Sequence, residues 1–244
     1  PLKKIKGLPM IEHVYKRTSL STSIDKIAIA TPDVVIADFV KSFGGNVVMT
    51  SPTHERASDR CAEALLIEEK KDKITYDIVL MVQGDEPLLL PRHLDLMIDT
   101  IRKDDKSVAW NATGPIEKED ELMRKSFVKA ALYRDKILYC FRKSPSFNEF
   151  KAQQKYIRKI LGVIAYRKEF LMKLTKMNAT PIEQIESIEQ MRIIEKGYAI
   201  RSIPFESSQP SINEPSEVED VWNCVKNTPE QQDLLNQVLN FKLS

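Results

Sequence analysis

Between residues 77 and 87 the chain reads DIVLMVQGDEP, an apolar run followed by a glycine and two carboxylates. The unbroken run from Ile78 to Val82 predicts a strand that is buried on both faces. Asp85 and Glu86 follow directly, although a hydrophobic core does not favour two carboxylates. A carboxylate fixed at a strand end is a good ligand for Mg²⁺, which binds one or two carboxylates and otherwise keeps water and phosphate oxygens. The alternative is an ordinary turn in which Asp85 caps the next helix.

Two shorter apolar runs upstream repeat this organisation. Residues 26–30 and 46–50 predict strands, and each run ends in a polar cluster. Helical spacing of apolar residues follows or precedes each strand, and predicts helices over 10–20, 34–43, 58–70 and 94–102. Short strands alternating with helices predict a doubly wound, mostly parallel, Rossmann-like α/β sheet. Ligands of such sheets bind beyond the carboxyl ends of the strands.

The pattern becomes less regular after residue 105. Strands are predicted over 108–112, 127–133, 162–166 and 198–203, with irregular connections between them. A helix is predicted to begin at Thr180, where Glu183 completes a capping box, and to end at Gly197. Its expected buried stripe is Ile182, Ile185, Ile188 and Met191. Terminal helices are predicted over 217–225 and 230–239. We therefore expect a smaller, mixed α/β subdomain after the first sheet.

Composition excludes several classes of function. The 244 residues carry 37 Lys and Arg against 35 Asp and Glu, and a net charge of +2 does not favour a nucleic-acid surface. No apolar run approaches the roughly 20 residues of a membrane-spanning helix, so a cytoplasmic protein is expected. The three cysteines are isolated from one another, and we assign them no metal or catalytic role.

A second polar cluster lies between Thr53 and Arg60. Ser58, Asp59 and Arg60 place a hydroxyl, a carboxylate and a guanidinium side by side before a helix. These groups can bind the edge of a base and the hydroxyls of its ribose. The alternative is that Ser58 and Asp59 are simple helix caps.

Taken together, these motifs resemble the bacterial 3-deoxy-manno-octulosonate cytidylyltransferases, the CMP-Kdo synthetases. The resemblance covers about residues 1–221 and rests on the order of the following stretches: Gly7 to Ile11, Ile29 to Thr31, Val47 to Thr50, Ser58 to Arg60, Val82 to Pro87, Val128-Lys129 and Pro181 to Tyr198. Each stretch alone is modest, whereas their order and spacing are specific.

The resemblance implies a nucleotidyltransferase that joins CMP from CTP to the anomeric hydroxyl of a Kdo-like acid sugar and releases pyrophosphate, for cell-surface polysaccharide synthesis. It implies Mg²⁺ as the cofactor, with Asp85 as the catalytic metal ligand. The implied nucleotide-binding residues are Thr31, Ser58, Asp59 and Arg60. The implied sugar-binding residues are Gln83, Arg142, Glu189 and Gln190. Glu183 is better explained as a helix cap than as a ligand.

The resemblance also implies one nucleotidyltransferase domain over 1–244. Its parts would be a nucleotide-binding part at about 1–105, a sugar-binding and dimerisation part at about 106–205, and C-terminal helices at about 206–244. A homodimer is implied, and the interface could include Phe127, Tyr133, Ile137 and Tyr139, for which burial in the core is the alternative. Neither nucleic acid nor a membrane is expected as a partner.

The sequence departs from the family pattern at three places, and each departure leads to a separate prediction. The family opens with a strand and a phosphate-binding loop of Arg, Ser, Arg and Lys, and this sequence starts after it. We therefore expect a piece of a longer chain; a catalytically silent CTP-binding or partner-binding homologue is the alternative. Asn213 stands where the family has a second metal-binding Asp, which weakens metal binding unless Glu214 replaces it. Phe141, Ile160 and Ile164 replace polar residues, which predicts a sugar that lacks or replaces some hydroxyls.

Overall fold

The computed structural model describes residues 1–146, 148–212 and 214–241, so the predicted ligand Asn213 lies outside the described residues. The chain forms two compact units. The first contains Pro1–Thr75, Val82–Arg102 and the chain from Gln209 onward, and the second contains Tyr76–Met81 and Lys103–Ser208. The functional division into three parts stays a prediction, because packing does not say what each part binds.

Strands and helices are numbered along the chain. The strands are β1 (Lys4–Ile5), β2 (Leu8–Pro9), β3 (Ile29–Thr31), β4 (Val47–Met49), β5 (Ile78–Val82), β6 (Ala109–Gly114), β7 (Lys129–Tyr133), β8 (Lys136–Phe141), β9 (Ile157–Arg167) and β10 (Ile200–Pro204). The α-helices are α1 (Met10–Ser19), α2 (Val34–Ser42), α3 (Ala57–Asp72), α4 (Pro91–Arg102), α5 (Phe150–Gln153), α6 (Lys168–Leu174), α7 (Pro181–Glu186), α8 (Gln190–Glu195), α9 (Val218–Asn227) and α10 (Pro229–Asn240). Within the described ranges, no helix has both the length and the apolar character needed to cross a membrane.

The first unit contains the parallel strand pair β3 and β4, in which Ala30 lies opposite Val48. Asp33 follows β3 and caps α2, because its Oδ1 accepts hydrogen bonds from the backbone N of Val35 at 2.8 Å and of Ile36 at 3.3 Å. The cap turns the chain away from the sheet directly after Thr31. The C-terminal helices contribute to a core formed by Ile5, Met10, Leu88, Val221, Val225 and Leu235.

The second unit contains a six-stranded sheet in the order β5-β9-β6-β10-β8-β7, and β7 pairs with β9 as well. This additional pairing closes five of the strands into a ring. β6 and β10 are parallel, whereas β6–β9, β7–β8, β7–β9 and β8–β10 are antiparallel. The mixed α/β class is confirmed, but the prediction of a mostly parallel sheet is wrong. β3 and β4 form a sheet of two strands, and β5, expected beside them, pairs with β9 in the mixed sheet instead.

The predicted helix after Thr180 is two helices, α7 and α8. The capping box is confirmed, since the Thr180 backbone N donates to Glu183 Oε2 at 3.0 Å. The chain turns at Ser187, whose φ of 54° lies in the left-handed region and ends α7. As a result Ile185, expected in the buried stripe, is 82% exposed, whereas Ile188 and Met191 are buried.

Candidate active site

The carboxyl ends of β3 and β4 are joined by threonines. The carbonyl oxygen of Thr31 accepts a hydrogen bond from the Thr50 backbone N at 3.1 Å, and both residues are buried. The Thr31 hydroxyl accepts from the backbone N of Asp33 at 3.1 Å. Thr31, predicted to bind nucleotide, therefore holds the turn at the end of the strand with its own side chain.

Arg60 organises the loop that follows β4. Its Nη1 donates to Thr50 Oγ1 at 2.8 Å and to the Ser51 carbonyl at 3.3 Å, and its Nη2 donates to the His54 carbonyl at 3.1 Å. Thr50 thus connects Arg60 to Thr31, and the structure brings these two predicted nucleotide-binding residues to one end of the strand pair.

Glu63 supports the same loop, and the sequence analysis did not identify it. Its Oε2 lies 2.6 Å from His54 Nε2 and accepts from the Ser51 backbone N at 2.8 Å. The Ser51 hydrogen bond holds the pKa of Glu63 below its usual value, and the contact with His54 acts in the same direction. No local sequence pattern pairs His54 with Glu63, because the contact exists only once the loop has folded over α3.

Ser58 and Asp59 differ in what they can offer a ligand. Ser58 is 0% exposed, so its hydroxyl has no surface for a nucleotide in this conformation, and its nucleotide-binding role stays a prediction. Asp59 lies in the first turn of α3, and its Oδ2 accepts from Arg56 Nε at 2.7 Å. Its Oδ1 is buried and has no hydrogen-bond partner in the described part of the chain. Asp59 therefore retains an unused acceptor next to a helix N-terminus.

Asp85 lies in the loop that follows β5. Its carbonyl oxygen accepts from the Ile212 backbone N at 3.0 Å, and its Oδ1 is buried without a hydrogen-bond partner among the residues described. Burial raises the pKa of Asp85, and the negative charge of Glu217 adds to this effect. An orphaned, partly desolvated carboxylate oxygen is a donor of the type that Mg²⁺ binds, so this position fits the predicted cation.

Glu217 is the acidic neighbour that the sequence analysis missed. Glu214 is the expected substitute for the family's second Asp, but the carboxylate whose charge raises the pKa of Asp85 is that of Glu217. The Glu214 backbone N donates to Glu217 Oε2 at 3.0 Å, which holds the Glu217 side chain against its own turn. A single 3₁₀ turn over Pro215–Glu217 separates Glu217 from Glu214, and no signal in the sequence predicts that turn.

Among the predicted sugar-binding residues, Gln83 is exposed in the first unit, and the other three lie in the second. Each nitrogen of the Arg142 guanidinium donates to a backbone carbonyl: Nε to Glu186 at 2.8 Å, Nη1 to Lys125 at 2.9 Å and Nη2 to Ser187 at 3.1 Å. Arg142 therefore caps the carboxyl end of α7, and this contact explains why the predicted long helix is interrupted.

Lys129 fixes the backbone of Arg142 from the other side. It is fully buried, and its Nζ donates to the carbonyls of Arg142, of Arg124 at 2.6 Å and of Phe127 at 2.8 Å. Burial, with the positive charge of Arg142, lowers the pKa of Lys129 to about 8. The Val128-Lys129 motif thus supports the loop that carries Arg142.

Gln190 has a fixed amide orientation. Its Nε2 donates to Asn111 Oδ1 at 3.0 Å. Asn111 is fully buried in β6, and its Nδ2 donates to the carbonyls of Ala112 at 2.8 Å, Leu161 at 3.1 Å and Val163 at 3.3 Å. Because the amide nitrogen of Gln190 is held by Asn111, its Oε1 is presented as an acceptor on the opposite side. Glu189 precedes it at the N-cap of α8.

The apolar substitutions that predicted an altered sugar are mostly in the core. Phe141 and Ile164 are each 2% exposed, and Phe141 packs with Ile116, Leu122 and Ile157. Side chains enclosed in this way cannot leave sugar hydroxyls unpaired. The argument for a sugar that lacks hydroxyls is therefore wrong for these two residues, because their strands form a closed sheet that the sequence analysis did not predict.

Comparison with known proteins defines the class. Residues 1–203 match the family model described as cytidylyltransferase. The 3-deoxy-manno-octulosonate cytidylyltransferase of Geobacter metallireducens is 32% identical over 231 residues, which cover 90% of this chain and 89% of that protein. The mitochondrial enzyme of that name from Arabidopsis thaliana is 32% identical over 93% of this chain and 77% of its own length.

Solved structures agree with this class. A structure of CMP:2-keto-3-deoxy-manno-octonic acid synthetase complexed with CTP is 30% identical, with a TM-score of 0.81 over 93% of this chain and 91% of that one. The 4-diphosphocytidyl-2C-methyl-D-erythritol synthase of Anaerococcus prevotii has a TM-score of 0.60 over 92% of this chain and 88% of that one at 14% identity, which is a likeness of fold alone. The chain belongs to the cytidylyltransferase family, and within it to the 3-deoxy-manno-octulosonate cytidylyltransferases.

Proposed function

We propose that this chain transfers CMP from CTP to the anomeric hydroxyl of Kdo, or of a closely similar acid sugar, and releases pyrophosphate. The family supports the reaction, and the observation in the structure that carries it is the orphaned, buried Oδ1 of Asp85. The burial of Phe141 and Ile164 removes the main reason to exclude Kdo itself. The product would serve cell-surface polysaccharide synthesis, and a cytoplasmic location stays a prediction.

We propose Mg²⁺ as the cofactor, held by Asp85 with help from the charge of Glu217. Bound there, the cation would neutralise the phosphate oxygens of CTP and polarise the phosphorus that is attacked. The protein's own contribution is to hold Asp85 in a partly desolvated loop. In such a place a carboxylate has lost hydration that a cation can replace.

The remaining residues of the site would bind and orient the two substrates. Arg60 and Asp59 bring a cation and an unused acceptor to the end of the β3–β4 pair, where a nucleotide's phosphate and its amino or hydroxyl groups can pair with them. Gln190 offers its fixed Oε1 to a sugar hydroxyl, with Glu189 next to it. Arg142 would bind the sugar through N–H groups that its backbone contacts leave available.

The decisive experiment is pyrophosphate release from CTP and Mg²⁺ with a panel of acid sugars that includes Kdo. It should be run on this chain. Asp85→Asn is expected to lower turnover by roughly 10²-fold or more, the scale of losing one electrostatic group of a transition state. Glu86→Gln is the matched control, since it makes the same change one residue later. Binding of CTP without release of pyrophosphate with any sugar of the panel would instead favour the silent homologue.

A homodimer is part of the proposal. Tyr133 is 62% exposed and Leu138 is 47% exposed, and they lie on the paired strands β7 and β8. Ile137, which the sequence analysis also considered for an interface, is fully buried in the core. Light scattering of the wild-type chain and of Tyr133→Ser tests this, and a monomer at micromolar concentration would refute it.

A further inference from the structure

Two buried polar side chains meet beside the loop that carries Asp85. Gln231, in α10, is fully buried, and its Nε2 donates to the carbonyl oxygen of Leu88 at 2.8 Å. Its Oε1 accepts from Nη1 of Arg17 in α1 at 2.8 Å. The same nitrogen of Arg17 donates to the carbonyl oxygen of Leu89 at 3.2 Å. Arg17 and Gln231 thus hold two consecutive carbonyls of one loop.

This loop is held at its other end by the C-terminal segment as well. The carbonyl oxygen of Asp85 itself accepts from the backbone N of Ile212. The contacts on Asp85 and Leu88 therefore come from residues beyond 203, where the match to the family model ends.

Stability alone gives no account of the pair. Arg17 is 0% exposed, and its Nε and Nη2 have no hydrogen-bond partner within the part of the chain that is described. Burial lowers the pKa of Arg17 to about 10. A buried charge without an ion pair destabilises a fold. What the pair does specifically is to hold the carbonyl groups of Leu88 and Leu89, which follow Asp85 in the same loop.

We propose that Arg17 and Gln231 are positioning residues that hold the Asp85 loop, so that the C-terminal helices set the affinity of the site for a divalent cation. This inference rests on the metal-binding role proposed for Asp85. Neither side chain touches the substrates in this scheme. Both act through the backbone of residues 85–89.

The first test is hydrogen–deuterium exchange of the chain without metal or nucleotide. Gln231→Glu keeps an acceptor for Arg17 but places an oxygen against the Leu88 carbonyl. It is expected to speed exchange of amides 84–90 about fivefold, equivalent to about 1 kcal/mol for one lost hydrogen bond. Gln232→Glu makes the same change at the exposed neighbour and should leave these amides unchanged. Amides of the loop between β4 and α3 should not respond in either variant.

A second variant keeps the test decisive if Gln231→Glu does not fold. Arg17→Met keeps a long side chain but cannot donate to Leu89 or to Gln231, and it should produce the same local change. The double variant should exchange no faster than the stronger single variant, because both residues belong to one network. Uniformly faster exchange along the chain, or an equal effect of Gln232→Glu, would show a purely structural role and overturn the proposal.

The second test is titration of the chain with Mn²⁺, followed by electron paramagnetic resonance. Each variant should bind Mn²⁺ about fivefold more weakly, with the KM for the sugar unchanged. Unchanged Mn²⁺ affinity would overturn the proposal even if exchange increases. If the wild-type chain binds no Mn²⁺, both the proposed metal site and the proposed effect on cation affinity are refuted. The exchange measurement still decides whether Arg17 and Gln231 hold the loop.

Discussion

Removing one partner of the buried ion pair between Glu183 and Arg192 should destabilise the second unit by about 3–5 kcal/mol. The two side chains are 9% and 4% exposed, and Arg192 Nε donates to Glu183 Oε2 at 2.7 Å. In Arg192→Leu the buried carboxylate keeps the capping bond from Thr180 but loses its counter-charge. In Glu183→Gln, Arg192 keeps its hydrogen bond to the Met177 carbonyl at 3.0 Å, but its buried charge faces a neutral amide instead of a carboxylate. The double variant leaves neither charge buried alone, so it should cost less than the sum by roughly 2 kcal/mol.

Urea unfolding at neutral pH measures these free energies, with circular dichroism and tryptophan fluorescence followed together to check that the transition is two-state. Arg102→Leu is the control, because Arg102 and its partner Asp99 are each 60% exposed and their pair should be worth less than about 1 kcal/mol. If the losses of the two single variants add to within about 0.5 kcal/mol in the double variant, the two charges are not coupled and the reasoning fails.

Three further predictions follow from contacts at the site and in the core. Asn111→Ala frees the amide of Gln190, so steady-state kinetics should show a several-fold higher KM for the sugar with the KM for CTP unchanged; an equal rise in both would contradict this. Arg60→Lys loses the planar contacts that hold the loop after β4 and should raise the KM for CTP instead; an unchanged KM would contradict it. Burial lowers the pKa of His13, whose Nε2 contacts the Ile5 carbonyl at 2.7 Å. Below about pH 6.5 the unfolded chain binds a proton that the folded chain does not, so stability should fall by up to about 1.4 kcal/mol per pH unit as the pH drops through the folded pKa. His13→Gln should flatten this dependence in unfolding measured between pH 7 and 5, and an equally steep profile would contradict the assignment.

Local signals in the sequence predicted several elements of the first unit. The predicted helix over 34–43 is α2 (Val34–Ser42), and the predicted strand over 46–50 is β4 (Val47–Met49). Both depend on interactions within a few residues, such as the Asp33 cap and an unbroken apolar run. The capping box at Thr180 was predictable for the same reason. Predictions that rest on neighbouring residues hold because the physics that decides them is local.

Strand pairing in the second unit was not predictable in this way. The order and direction of the strands depend on contacts between distant segments, and β5, expected beside β3 and β4, pairs with β9 instead. β8 (Lys136–Phe141) was missed because it follows β7 after only two residues, where the sequence has no Gly or Asn to indicate a hairpin. The closed sheet buries Phe141 and Ile164, so these apolar side chains are no evidence for a sugar that lacks hydroxyls.

For the site, the sequence gives the type of each residue but not which of its hydrogen bonds remain for a ligand. From the sequence, the neighbours Ser58 and Asp59 are equally good candidates for binding a nucleotide. In the structure Ser58 is fully buried, whereas Asp59 has a buried Oδ1 without a hydrogen-bond partner among the described residues. Asp85 likewise has a buried Oδ1 without a hydrogen-bond partner among the described residues. A buried acceptor without a donor is unfavourable until a ligand supplies one, so these two carboxylates are where binding of a ligand or a cation gains most. By the same reasoning Arg142, whose three nitrogens already donate to carbonyls, has less to gain, and its replacement should disturb the end of α7 before it disturbs the sugar.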